Sequence, residues 1–185
     1  MHHQEIIEDS NWWANRLVDH ERHDWDIDAE NWIEGYKKSV NHPHRKLIID
    51  QLFRFSPFES LLEVGCNCGP NLYSIGLTFP FIKLAGIDPS QASIDVGRKF
   101  LPDVLFRTGT VQKLPYHNLE FDIVLTDAVL IYVPPAEIEQ AMDELARVAK
   151  KAIILVEWEG KSLLGEIKHF HWARNYKKLL EQRGF

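Results

Sequence analysis

The sequence predicts an α/β fold: a mainly parallel, doubly wound sheet of about five strands, helices on both faces, and a helical arm ahead of it. Three observations carry that prediction. Short runs rich in Leu, Ile and Val recur at residues 60–64, 82–87, 104–107, 121–126 and 152–156. Stretches of helical periodicity separate most of them, and strands that pair in parallel need crossovers of that kind. Turn-forming residues stand where strands would pass into helices, at Gly65 to Gly69, at Asp88-Pro89-Ser90 and at Pro134-Pro135.

Taken in order, residues 1–40 form an acidic arm with Trp12, Trp13, Trp25 and Trp32. Ile6, Trp13 and Leu17, then Trp32, Tyr36 and Val40, fall at helical spacing, so two short helices are expected with a loop near residues 24–28. Four tryptophans on such an arm either pack onto the main domain or close over its active site, and the two are compatible. The domain proper is expected over residues 41–185. Asn41 or His42 can cap a helix that starts at Pro43, carries Leu47, Ile48, Ile49, Leu52 and Phe53, and stops before Ser56-Pro57.

The first strand, 60–64, leads through a glycine turn into a helix at 70–78, stopped by Pro80. The second, 82–87, leads through Asp88-Pro89-Ser90 into a helix reaching residue 100. The short third strand, 104–107, is followed by a loop over 108–120. After the fourth, Pro134-Pro135 are read as opening a helix to Lys150, with Ile138, Ala141, Met142, Leu145 and Val148 on one face. Arg147, Lys150 and Lys151 would then sit at its negative C-terminal end. A last helix is expected over 162–182, with Gly184 beyond it as a cap.

Composition narrows the function. The chain has 185 residues, 45% hydrophobic and 26% charged, with a formal net charge of -6. That suits one soluble domain and argues against a broadly basic nucleic-acid surface. No apolar run is long enough to span a membrane, and the first residues lack the pattern of a secretory signal. Cys66 and Cys68, the two cysteines, lie together inside one turn, so a reducing, cytoplasmic setting is expected.

A doubly wound sheet binds ligands beyond the carboxyl ends of its strands. The residues there are Glu63 to Gly69, Asp88, the loop at 108–111, Asp127 and Glu157. Gly65 and Gly69 allow a sharp turn and close backbone approach, and Asn67 tolerates a left-handed conformation between them. Asp88, 25 positions after Glu63, can accept ribose hydroxyls or merely cap the next helix. The dinucleotide fingerprint G-x-G-x-x-G is broken, with Asn at 67 and Pro at 70. Glu63 beside the turn would repel a diphosphate and attract a cationic or amino-bearing ligand, which tilts the reading from NAD towards S-adenosylmethionine.

These residues resemble a family. Glu63-Val64-Gly65-Cys66-Asn67-Cys68-Gly69 is similar to the first motif of the class I S-adenosylmethionine-dependent methyltransferases, whose fold is Rossmann-like. Gly86-Ile87-Asp88-Pro89-Ser90 is similar to the second. Residues 109–116 resemble the loop flanking the adenine, and residues 121–130 the fourth strand and its tail. The resemblance implies S-adenosyl-L-methionine as cofactor. Gly65, Cys66, Asn67 and Gly69 would line its methionine and ribose portions, with Glu63 towards the amino group. Asp88 would hold the ribose hydroxyls, Pro89, Ser90, Thr110 and Val111 would flank the adenine, and Asp127 and Ala128 would lie near the sulfonium. Two features depart from the pattern: Thr110 stands where an acidic residue is frequent, and no Asn-Pro-Pro-Tyr element follows strand four. The family's usual seven strands would also lose their last two here. Strand five would then keep an exposed edge, as in a truncated sequence, or be covered by a second copy in a homodimer or by the arm.

Methyl transfer needs positioning and, for many acceptors, removal of a proton. Asp127, His44 and Glu157 are the nominated bases. Tyr36, Trp32, Tyr132, Glu157 and Glu159 are candidates for an acceptor pocket, and Arg45 either for the methionine carboxylate or for a surface ion pair. The two cysteines are too few for a structural zinc site, the H-x-H pairs His42/His44 and His169/His171 would have to converge with carboxylates to bind a metal, and none is expected. The sequence favours a methyltransferase of a small molecule. An NAD(P)-dependent oxidoreductase and a non-catalytic binding protein on the same fold are the alternatives.

Overall fold

The computed structural model describes Ser39, residues 42–168 and residues 171–185. The arm with its four tryptophans and Tyr36, and His169 of the second H-x-H pair, lie outside the described residues. Helix α1 spans Pro43–Arg54, and His42 caps it by accepting the His44 amide. Strand β1 (Ser60–Val64) is followed by α2 (Pro70–Thr78), β2 (Lys83–Asp88), α3 (Gln91–Phe100) and β3 (Leu105–Thr108). Then come β4 (Phe121–Asp127), a 3-10 turn over Leu130–Tyr132, α4 (Ile138–Val148) and β5 (Ala149–Val156). A ribbon of β6 (Glu166–Lys168) and β7 (His171–Ala173) precedes α5 (Tyr176–Glu181).

The main sheet runs β3-β2-β1-β4-β5, with all four pairings parallel. Successive strand residues serve opposite faces. Leu61 and Ile123 pack with Ile48 and Leu52 of α1, Leu72 and Ile75 of α2 and Ile94 of α3. Leu62 and Val124 pack with α4 and α5 on the other face. Burial on both faces is why the strands read as continuous apolar runs. All five apolar positions of α4, from Ile138 to Val148, are buried. Each of the four larger side chains, Ile138, Met142, Leu145 and Val148, gains about 1.5–3 kcal/mol from burial, so packing holds this helix in place. Strand order reverses between β1 and β4, and the crevice at that switch point opens at the strands' carboxyl ends.

Several expectations need correction. The ends of β2, β3 and β4 fall one residue later than read, and β5 begins three residues earlier. Lys150 and Lys151 are thereby strand residues, and their ammonium groups flank Asp122 at 3.7 and 3.4 Å instead of facing a helix end. Helix α4 starts at Ile138, not at the prolines, because Pro134 and Pro135 form a turn closed by the Glu137 amide on the Pro134 carbonyl. The long last helix is replaced by the antiparallel ribbon and the short α5. Gly165 at φ +113° breaks the helical path, and Asn175 caps α5 by accepting the Lys178 amide. The ribbon does not join the main sheet. It reaches the end of β5 through one isolated bridge, Glu159 to Arg174.

Candidate active site

Four strand ends lie at the same end of the sheet, and Asn71 ties two of them, those of β1 and β4, to the start of α1. After Val64 the backbone turns back on β2, with the Gly65 and Cys66 amides both donating to the Ile87 carbonyl. Gly65 has φ +73°, and a Cβ there would lie 2.1 Å from Val129 Cγ2, so only glycine fits beside the tail of β4. Asn67 takes the left-handed conformation anticipated for it, φ +52°, and its side chain accepts the Cys68 amide. Gly69, also left-handed, is the N-cap of α2, with Pro70 in its first turn. Cys66 and Cys68 are buried, and burial pushes the Cys68 thiol up to about 12. They fill the turn as unreactive thiols.

Glu63, at the end of β1, is only 2% exposed. Its Oε1 accepts a 2.7 Å bond from Asn71 Nδ2, while its Oε2 is buried and meets no donor among the described residues. Burial pushes this carboxyl up to about 8, with the charge of Asp127 adding and the Asn71 bond and Arg45 opposing. Asp88, at the end of β2, spends one bond per oxygen: the Asn67 amide at 2.8 Å and the Ser90 amide at 2.9 Å. Burial raises it too. Ser90, not Asp88, caps α3, which leaves each Asp88 oxygen further lone pairs for a ligand. Half-buried Pro89 follows. The Gly109 amide donates to the Asp88 carbonyl, which brings half-buried Thr110 and buried Val111 beside this strand end.

At the end of β4, Asp127 Oδ2 accepts two 3.0 Å bonds, from Asn71 Nδ2 and His44 Nε2. Ala128 follows at φ +54°. Two nominated bases are thus side by side. The third, Glu157, stands one residue beyond β5. Its carboxylate accepts from Thr126 Oγ1 and from the amides of Val129, Leu130 and Ile131. Burial raises it to about 7 against those four bonds. A cleft of about 240 Å³ is lined by His44, Asp127, Ala128, Val156, Glu157 and Trp158. Among the described residues no group of three or more His, Cys, Asp or Glu could hold a metal ion, and no helix is long and apolar enough to cross a membrane.

Against this geometry, residues 61–152 match the family described as "Methyltransferase domain". Residues 61–152 are therefore assigned to that methyltransferase family. An uncharacterized methyltransferase of Schizosaccharomyces pombe is 33% identical over 107 residues, which is 50% of this chain and 36% of that protein. The chain spans about a third to three fifths of the curated relatives it matches. Two solved structures share the fold. A geranyl diphosphate methyltransferase, in complex with GPP and sinefungin, superposes with a TM-score of 0.64 at 16% identity, covering 76% of this chain and 57% of that one. An amino pentose methyltransferase of Micromonospora echinaspora, with bound S-adenosylmethionine, gives 0.59 at 23% identity, covering 76% and 59%.

Two residues that organise this candidate site are not singled out by sequence reasoning. Asn71, 3% exposed, donates to both Glu63 and Asp127 and accepts from Arg45 Nη1. Its signal is a polar residue in the first turn of an otherwise apolar helix, right after the motif. Arg45 is therefore no surface cation. It is buried, and it also donates to the Ser39 carbonyl at 2.6 Å and hydroxyl at 3.1 Å. Arg174 is fully buried and donates to the carbonyls of Leu164, Leu130 and Val133. With Glu157 holding the amides of the same segment, it clamps the tail of β4 from both sides. Nothing in the sequence distinguishes it from a surface arginine. Of the other pocket candidates, Tyr132 meets the His171 ring edge-on at 4.8 Å, as does Trp158, which sequence reasoning did not name, at 4.9 Å, while the side chain of Glu159 is exposed.

Proposed function

We propose that this chain transfers the methyl group of S-adenosylmethionine to a small-molecule acceptor. The observation that carries the reading is Glu63 Oε2: a buried carboxylate oxygen with no donor among the described residues, at the end of the first strand. Such an atom calls for a cationic donor, and the ammonium of a methionine moiety is one. The pyrophosphate of a dinucleotide is not, which weighs against the nicotinamide reading. When bound, S-adenosylmethionine supplies an activated methyl carbon on a sulfonium.

The roles follow from position. The turn of Gly65, Cys66, Asn67 and Gly69 lets the backbone approach the methionine and ribose portions. Asp88 has lone pairs left for the ribose hydroxyls. Pro89, Ser90, Thr110 and Val111 stand on the adenine side of Asp88. Asp127 and Ala128 face the methyl, with Asp127 as base and His44 and Asn71 as positioning residues. Glu157, saturated by four donors, holds the tail of β4 in place and is the weakest of the three nominated bases. The amino pentose methyltransferase among the neighbours acts on a small molecule, in line with this reading. The outer edge of β5, unpaired among the described residues, is where a second copy would pair, and the protein would work in the cytoplasm.

Calorimetry with S-adenosylhomocysteine tests the proposal. Micromolar binding by the full-length chain, lost in Asp88→Ala, is expected. A folded sample that ignores S-adenosylhomocysteine and binds NAD(P) would overturn it.

A further inference from the structure

We infer that the acceptor cleft takes a protic acceptor, a hydroxyl or an amine carried on a flat or apolar body, and rejects carboxylates. The inference rests on the methyltransferase reading and deepens it by naming the acceptor chemistry.

The argument is an inventory of the cleft's hydrogen-bonding atoms. Asp127 Oδ2 is committed to two donors, Asn71 Nδ2 and His44 Nε2, each at 3.0 Å. Asp127 Oδ1 takes no bond from any described residue, and the side chain is 18% exposed, on the wall of the cleft. His44 has no nitrogen to spare, because Nδ1 contacts His42 Nδ1 at 2.5 Å while Nε2 serves Asp127. Both oxygens of Glu157 are committed, and the Ala128 amide donates to the Val156 carbonyl. The uncommitted side-chain atom facing the cleft, Asp127 Oδ1, is therefore an acceptor of hydrogen bonds. A ligand carboxylate would meet Asp127 Oδ1 without a proton between them, and like charges at that range repel. A hydroxyl or amine supplies the missing proton. The rest of the wall is Val156, Ala128 and Trp158, whose largely apolar ring meets His171 edge-on at 4.9 Å.

The chemistry balances on that atom. The acceptor's X–H bond yields its proton to Asp127 Oδ1, its lone pair forms the new X–C bond to the methyl carbon, and the C–S bond breaks with its electron pair left on sulfur. His44 and Asn71 keep Oδ2 occupied, so Oδ1 is the oxygen presented.

The test uses the full-length chain saturated with S-adenosylhomocysteine, whose own binding is measured first, and three matched probes: benzyl alcohol, benzylamine and benzoate. Saturation-transfer NMR should detect the alcohol and the amine at concentrations at least about tenfold lower than benzoate. In Asp127→Asn the amide oxygen keeps the bonds from Asn71 and His44, and the NH2 group then faces the cleft. The preference should invert, with benzoate gained and the protic probes weakened about tenfold or more. Benzoate binding as well as benzylamine to the wild type, no probe binding, or an unchanged order in Asp127→Asn would each overturn the inference. Failure of S-adenosylhomocysteine itself to bind would instead strike the methyltransferase reading.

Discussion

Binding of S-adenosylhomocysteine should expel close to one proton at pH 7, and Glu63 should be its source. The Glu63 carboxyl, pushed up to about 8 by burial, is roughly 90% protonated at pH 7 in the free protein. An ammonium against Oε2 supplies the partner that burial withholds and returns the carboxyl to its ionised form. Below pH 8 the free protein thus holds a proton that the complex lacks. Affinity should rise with pH, by up to about tenfold per unit, and level off above 8. A buried ion pair with one partner removed loses about 3–5 kcal/mol. Ionising Glu63 at pH 7 already costs the wild type about 1.4 kcal/mol, the worth of one pKa unit. The net loss in Glu63→Gln is then about 1.6–3.6 kcal/mol, or roughly 10- to 500-fold in affinity. Calorimetry in phosphate and in Tris, whose ionisation enthalpies differ, reads the proton count directly. Tight binding with equal heats in both buffers, or Glu63→Gln binding like wild type, would refute the assignment.

Other outcomes follow from the same structure. Gly65→Ala sets a methyl 2.1 Å from Val129 Cγ2 at φ +73°. It should cost about 2–4 kcal/mol in urea unfolding and abolish S-adenosylhomocysteine binding by calorimetry. Arg174→Met leaves three backbone carbonyls without their donor. A loss of about 3 kcal/mol is expected, a fall of roughly 6–12 °C in melting temperature; a fall under 2 °C would contradict the clamp. The free protein should also lose stability between pH 5 and 8. Glu63 and Glu157, raised to about 8 and about 7, bind protons in the folded state that they release on unfolding. Their contribution is whole below the ordinary glutamate value and fades as pH rises through 7 and 8. Urea midpoints at pH 5.5, 7 and 8.5 check the slope, and saturating S-adenosylhomocysteine should flatten the part due to Glu63.

How much of this is legible in the sequence depends on the range of the interactions. Strands buried on both faces announce themselves as apolar runs, and α4 through its periodicity, because both patterns are local. The turn from Gly65 to Gly69 is equally legible, since positive φ restricts the residues allowed there. Asp88 carries its meaning by following the second strand. The misread C-terminal region failed for the opposite reason. Residues 162–182 contain Leu, Ile and Trp at spacings that a helix accommodates, while the ribbon is set by Gly165 and by Arg174 reaching the carbonyls of a segment some forty residues earlier. Asn71 was hidden similarly. Its partners, Arg45, Glu63 and Asp127, come from three elements, and no local pattern joins them.

The choice of asparagine at 71 explains why the site retains a demand for a cation. A lysine or arginine between Glu63 and Asp127 would neutralise one carboxylate and leave little reason for a ligand's ammonium to enter. The Asn71 amide bridges the two carboxylates through its two N–H bonds while adding no charge. Its carbonyl takes the Arg45 guanidinium, which fixes the amide's orientation and keeps the arginine's charge one residue away from Glu63 Oε2. Burial, with the charge of Asp127 adding to it, keeps Glu63 protonated in the free protein, and a cofactor ammonium would relieve that state. Affinity, proton release and the Glu63 part of the pH dependence of stability would therefore share one origin in the arrangement of Arg45, Asn71 and Glu63. The same amide also holds Asp127 Oδ2, so on the proposed reading a single side chain would position both the cofactor and the acceptor halves of the site.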